Sequence, residues 1–103
     1  MKRAKPSSKL ERLVGRWQAA SQDSAAVFDV ALRAGKPVIT GFDDRDGESF
    51  KISDVVWDGR SLAFEALMPS TRFRSRHKFT LVRVGRIDHE LTVMERWRKV
   101  PLK

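Results

Sequence analysis

Apolar and polar residues alternate one by one along most of this chain, and this period of two constrains the fold more than any other feature. The clearest run covers residues 72–81, where Phe73, His77 and Phe79 share one parity and basic residues hold the other. Similar alternation occupies residues 26–33, 62–68 and 87–97. Strands with one buried face and one wet face are typical of antiparallel sheets. The pattern therefore predicts an all-β protein.

Turn-forming residues separate the alternating runs at regular intervals. They are Ala34-Gly35-Lys36-Pro37, Asp46-Gly47, Asp58-Gly59, Pro69-Ser70-Thr71 and Gly85-Arg86. Asp-Gly pairs favour the tight turns of β-hairpins, and a spacing of about 11 to 15 residues is typical of a β-meander. The expected strands lie near residues 15–20, 25–33, 37–44, 49–57, 61–68, 72–84 and 87–98. A switch of apolar parity predicts a β-bulge near Ser53-Asp54.

The N-terminal residues have a different composition. Residues 1–7 are polar and basic and predict a disordered tail, so that residues 8–103 form the single β domain that a chain of 103 residues can build. Ser8-Lys9-Leu10-Glu11 has the form of a capping box and predicts a short helix over Lys9–Val14.

Composition limits where the protein is expected and what it can bind. The chain has no cysteine, which excludes disulfides and thiolate metal sites and fits a reducing compartment. No apolar run approaches the roughly 18 residues of a membrane helix, and the basic N-terminus lacks the apolar stretch of a signal peptide. We therefore expect a cytoplasmic protein with no membrane span.

The net charge of +8 is unevenly distributed. Both termini are basic, and residues 72–86 contain bases and no acid. One face of the expected sixth strand forms a basic stripe of Arg72, Arg74, Arg76 and Lys78. Such a stripe can follow a phosphate backbone, or it can be a solvated face that pairs with Asp88 and Glu90 on the next strand. Because the face carries no interleaved aromatic residues for base stacking, nucleic-acid binding is disfavoured.

The N-terminal motif Gly15-Arg16-Trp17, followed by consecutive hairpins and by Arg96 and Arg98 near the end of the last strand, resembles the lipocalin-like barrels of the calycin superfamily. Residues 38–71 also look like small bacterial lipocalin-like domains of unassigned function. The resemblance covers residues 9–98. It implies that Trp17 plugs one end of a barrel and that Arg96 or Arg98 packs over its ring, a cation–π contact worth about 1 kcal/mol.

The strand count departs from that family. Full members of the superfamily have more strands than the seven expected here, so the resemblance implies a small or half-open barrel, or one completed by a second copy. A barrel of about eight strands already has an interior that its own side chains fill. A spacious ligand cavity is therefore not expected.

The inward parity of the expected strands collects the candidate binding residues. Its interior can be a packed core, which the small size favours, or an apolar cup for an acyl chain. His77 and His89 share this parity on adjacent strands and are expected to face each other. The candidate ligand-binding residues are Phe64, Met68, His77, Phe79 and His89. Two histidines without a matched third ligand make a weak metal site, so we expect neither a metal nor another cofactor.

No nucleophile, base and acid stand at a spacing that supports catalysis, so we expect the protein not to be an enzyme. The leading hypothesis is a lipocalin-like domain that binds a small apolar or amphipathic ligand. The first alternative is a β-module that assembles with itself as a homodimer or with a partner protein, which the incomplete barrel and the uneven charge favour. The second alternative is nucleic-acid binding through residues 72–78.

Overall fold

The computed structural model describes residues 8–19, 25–83, 85–94 and 97–101. This part of the chain forms one short helix and seven strands. In chain order these are α1 (Ser8–Glu11), β1 (Gly15–Gln18), β2 (Ala26–Arg33), β3 (Lys36–Asp43), β4 (Lys51–Trp57), β5 (Ser61–Met68), β6 (Phe73–Arg83) and β7 (Arg86–Met94). Every strand pairing is antiparallel. The all-β meander predicted from the sequence is therefore confirmed, while the expected tail at residues 1–7 lies outside the described residues.

The strands form two sheets in sequence order. The first sheet has the order β1-β2-β3 and the second has the order β4-β5-β6-β7. At their junction the backbone N–H of Asp43 donates to the carbonyl of Glu48 at 2.8 Å, and that of Phe50 donates to the carbonyl of Gly41 at 2.9 Å. Within the described part of the chain, β1 and β7 lie at opposite margins and do not pair. The sheets are therefore not closed into a barrel, which agrees with the half-open form.

The predicted bulge in β4 is confirmed. The pairing register between β4 and β5 shifts between Ser53 and Val56, and Asp54 has a positive φ of 53°. Aspartate tolerates this left-handed conformation better than most residues. Because the bulge inserts one extra residue into β4, Ile52 before it and Trp57 after it both pack against the core although they differ in parity.

The core lies between the two sheets and under α1. Its buried side chains are Leu10, Leu13, Phe28, Val30, Ile39, Leu62, Phe64, Ala66 and Phe79. Phe28 is central, with its ring centroid 4.9 Å from that of Phe64. The ring of Phe28 lies directly against the backbone of its cross-strand partner Gly41, where a Cβ atom would stand 2.6 Å from the ring. The absence of a side chain at Gly41 thus allows Phe28 to fill the core.

The helix is shorter than the predicted span of Lys9–Val14. It ends at Glu11, and the chain continues in a tight turn in which the N–H of Leu13 donates to the carbonyl of Leu10 at 2.9 Å. This turn buries both leucines over one end of the sheets. The indole Nε1–H of Trp17 donates to the carbonyl of Leu13 at 2.7 Å, and its ring lies 6.4 Å from that of Phe79. Trp17 and α1 thus cover the same end of the molecule.

Candidate functional site

The strand registers define a closed end and an open end. At the closed end Phe79 pairs with Leu62 of β5 and contacts Trp17. At the other end of the same strands Ser75 pairs with Ala66, and Phe73 pairs with Met68. We call this second region the open end.

A chain of hydrogen bonds links three side chains between the two ends. The Oγ atom of Ser75 lies 2.8 Å from Nε2 of His77, and Nδ1 of His77 lies 2.8 Å from Nε2 of His89. Ser75 and His77 share a face because they are two residues apart on β6. His89 reaches them diagonally, since its neighbour Leu91 is the cross-strand partner of His77. We call these three residues the Ser75–His77–His89 relay; it runs from two buried side chains to an exposed one.

Burial, nearly complete at His77 and partial at the ring of His89, which lies against His77 and Phe79, keeps the two imidazoles uncharged. It lowers the pKa of His77 from 6.5 to about 4, with a further contribution from the neighbouring His89, and it also lowers the pKa of His89. The ring of His77 stacks on that of Phe64 at 5.2 Å and lies 4.7 Å from that of Phe28. These apolar surroundings disfavour a charged imidazole. The relay is therefore neutral at pH 7.

An exposed apolar surface adjoins the relay on the inner face of β6 and β7. Phe73 is 44% exposed, Leu91 55% and Val93 39%, and we call these three residues the open-end strip. Val93 pairs with Ser75, and Leu91 pairs with His77. Exposed apolar side chains that are grouped together mark interaction surfaces more often than isolated ones do. The arrangement suits a molecule with an apolar chain and a polar end.

The structure sorts the predicted ligand-binding residues into two groups. It brings His77 and His89 together, and Met68 is partly buried at the open end. Phe64 and Phe79 are 0% and 2% exposed and pack edge-to-face, with ring centroids 5.4 Å apart. We therefore assign these two phenylalanines to the core and not to an exposed ligand surface, because neither side chain is accessible.

Ser75, which is not among the predicted ligand-binding residues, joins the site through its bond to His77. Its position in the sequence could have identified it. Ser75 lies two residues before His77, so both side chains have the inward parity, and it is the one hydroxyl residue of that parity between Phe73 and Phe79. A buried serine on an apolar face requires a hydrogen-bond partner, and of the two nearest residues of the same parity, Phe73 and His77, only the histidine can supply one.

The basic stripe is partly neutralised by a different carboxylate from those expected. Arg74 and Arg76 donate to the buried carboxylate of Glu65 on β5, at 2.5 Å and 3.5 Å. Asp88 and Glu90 were the predicted partners. Glu65 takes this role because it is directly opposite Arg76 in the register of β5 and β6. Arg72 lies at the turn before β6, and Lys78 is exposed opposite Glu90.

The predicted cover of Trp17 is not formed by Arg98. Arg98 is exposed, and the cation–π contact within the described part of the chain joins Arg16 to the ring of Phe42 at 5.2 Å. Arg16 also binds Asp29 through two hydrogen bonds of 2.7 Å and 2.9 Å, which hold its guanidinium in place. Arg96, the other candidate, lies outside the described residues.

Among the described residues, no three His, Cys, Asp or Glu side chains are placed to hold a metal ion, and no helix has the length and apolar character to cross a membrane. Comparisons of the chain with protein-family models, curated proteins and solved structures give no match.

Proposed function

We propose that the protein binds a small amphipathic molecule at the open end, without catalysing a reaction. The apolar part of the ligand lies on the open-end strip, and its polar group contacts His89 at the accessible end of the relay. The observation that carries this proposal is the continuity of the two surfaces. Phe73, Leu91 and Val93 expose apolar area directly beside the histidine pair.

The size of the strip limits the affinity. If binding removes about 200 Å² of apolar surface from water, counting both partners, it contributes about 5 kcal/mol. Such a free energy corresponds to a Kd of roughly 0.1–1 mM. The proposal therefore concerns a small ligand that is abundant or locally concentrated.

A titration with octan-1-ol and octanoic acid, followed by NMR of the ¹⁵N-labelled protein, tests the proposal. We expect shifts concentrated on β6 and β7 near Ser75, Leu91 and Val93. Leu91→Ser should weaken binding several-fold, because it removes the most exposed side chain of the strip. Val56→Ser is the matched control, since Val56 is 54% exposed against 55% for Leu91 but lies on the outer face of β4.

Two results would contradict this function. One is the absence of localised shifts with either ligand. The other is equal weakening by Leu91→Ser and Val56→Ser, which would show that the binding does not depend on the inner face of β7.

Self-association is a second candidate, and the margin of the second sheet favours it. β7 runs from Arg86 to Met94 at the sheet edge, where backbone groups can pair with another strand. A second copy pairing along β7 would also cover the open-end strip. Sedimentation over a wide range of protein and salt concentrations should then show a concentration-dependent dimer. A strict monomer under all conditions would contradict it.

Nucleic-acid binding has weaker support. Two of the four basic side chains of the stripe already bind Glu65, so less positive charge is available to phosphate groups.

A further inference from the structure

We propose that the ligand carries a weakly acidic group of the carboxylic acid type, and that the Ser75–His77–His89 relay takes up one proton when this ligand binds. The inference rests on the proposed function, because it concerns the polar group of the same amphipathic ligand. The proposal places the polar group of the ligand at Nδ1 of His89, the ring nitrogen that does not bond to His77.

The hydrogen bonds of the relay allow two arrangements when both rings are neutral. In the first, the hydroxyl of Ser75 donates to His77, and Nδ1–H of His77 donates to Nε2 of His89. In the second, both bonds run in the opposite direction. Each neutral imidazole has one donor and one acceptor nitrogen, so the chain is satisfied in either direction. The Nδ1 atom of His89, on the far side of its ring from His77, is a donor in the first arrangement and an acceptor in the second.

One additional proton preserves both hydrogen bonds. With three ring protons shared between the two histidines, Nε2–H of His77 donates to Ser75, and one proton lies between the two rings. In this state the outward Nδ1 of His89 always carries a hydrogen. A second additional proton would place two N–H groups against each other across the 2.8 Å between the rings. The hydrogen-bond geometry of the relay therefore allows one additional proton and disfavours a second.

Among the residues that the structure describes, no carboxylate adjoins the two rings to balance that proton. The residues packed against the rings from β2 and β5 are Phe28 and Phe64. The charged residues next to the histidines along β6 and β7 have the opposite strand parity: Arg76, Lys78, Asp88 and Glu90. Burial and the mutual effect of the two rings, and no carboxylate, account for the lowered pKa of His77.

A bound carboxylate would supply the missing charge. Placed at Nδ1–H of His89, it would accept a charge-assisted hydrogen bond and raise the pKa of the histidine pair. A carboxylic acid is already ionised in solution at pH 7, so the ligand binds as a carboxylate and the relay takes its additional proton from the solvent. The positive charge of the relay and the negative charge of the ligand then cancel within the complex. A neutral alcohol on the same strip gains only an ordinary hydrogen bond and requires no proton.

The test compares octanoic acid with octan-1-ol over a range of pH. Protonation of the rings is read from imidazole ¹⁵N shifts at saturating ligand. When octanoic acid is bound, the histidine pair should carry close to one additional proton. Because binding then takes up one proton, the Kd of octanoic acid should rise about tenfold between about pH 7 and about pH 8. Octan-1-ol should leave the rings neutral and bind with a Kd independent of pH.

Two variants locate the effect. His89→Gln retains a side chain that can hydrogen-bond His77 but removes the imidazole that contacts the polar group of the ligand. It should weaken octan-1-ol binding only by the loss of an ordinary hydrogen bond, and it should abolish the pH dependence of octanoate binding. Lys78→Gln removes one positive charge from the opposite face of the neighbouring strand. It should leave the proton uptake unchanged, which separates a local effect from general attraction of anions.

The outcomes separate the two proposals. If octan-1-ol binds the strip and octanoate binds without protonating the rings, the inference is overturned and the proposed function stands. Proton uptake that persists in His89→Gln overturns the relay as the acceptor. If neither molecule binds, both proposals are wrong.

Discussion

The Nδ1 atom of His77 and the Nε2 atom of His89 lie 2.8 Å apart, in rings whose planes differ by 6°. Burial lowers the pKa of both side chains, that of His77 to about 4. In the folded protein this is an uncharged pair at neutral pH. In the unfolded chain each histidine titrates near its ordinary value of 6.5.

We expect the protein to lose stability as the pH falls from 6.5 towards 4. In this pH range the unfolded chain binds a proton on His77 and the folded protein does not. The free energy of unfolding therefore decreases as the pH decreases. For one proton the slope approaches about 1.4 kcal/mol per pH unit. Urea unfolding at several pH values measures it.

The control for this prediction is His77→Gln, which should flatten the dependence in the same window. Asp29, Asp43 and Asp58 also have lowered pKa values. These carboxylates stabilise the folded protein fully above pH 3.8, their ordinary pKa. This stabilisation is lost as the pH falls through their lower pKa values in the folded protein, which is a pH range below that of the histidines. Equal slopes in the parent and the variant would show that His77 is not the titrating group.

The contact of Phe28 with Gly41 gives a second prediction. Gly41→Ala should reduce the free energy of unfolding by about 1–3 kcal/mol, because the new Cβ would overlap the ring of Phe28 and force the core to shift. Chemical denaturation measures the loss. The double variant Gly41→Ala/Phe28→Leu should lose less free energy of unfolding than the sum of the losses in the two single variants, since the smaller leucine side chain relieves the overlap. Strict additivity would contradict the assigned clash.

The strands could be predicted from the sequence because alternation and turn residues are local signals. Asp58-Gly59 and Gly85-Arg86 mark reversals in the chain, and the parity switch around Ser53-Asp54 marks the bulge. The end of the helix was less predictable. The capping box specifies where a helix begins, whereas its end after Glu11 depends on burying Leu10 and Leu13 against the sheets.

The site could be predicted only in part for the same reason. The parity of His77 and His89 on neighbouring strands was enough to expect their contact. Which inward residues remain exposed depends on how far the first sheet extends over the second, a long-range property that alternation does not encode. Phe79 and Leu91 share one face, yet the first is buried under Phe28 and Trp17 and the second is exposed.

Glu65 gives a third prediction. Glu65→Gln should reduce the free energy of unfolding by about 1 kcal/mol, because Arg74 and Arg76 lose charge-assisted hydrogen bonds but are exposed enough to be hydrated instead. The loss should shrink at high salt, which screens the original attraction. Arg72→Gln, outside this ion-pair cluster, is the control and should have little effect. A loss that does not change with salt would indicate a packing defect and not an electrostatic one.

Substitutions of Trp17 should reduce stability without weakening ligand binding. Trp17→Phe removes the hydrogen bond from the indole to the carbonyl of Leu13 and should cost about 1 kcal/mol, while Trp17→Ala also removes the ring from Phe79 and should cost about 3 kcal/mol or more. Both changes act at the closed end. Trp17→Phe, the milder change, should therefore keep the octan-1-ol Kd of the parent protein, measured by the same NMR titration. A weaker Kd in this variant would mean that the closed end shapes the ligand surface, and the assignment of binding to the open-end strip would then be wrong.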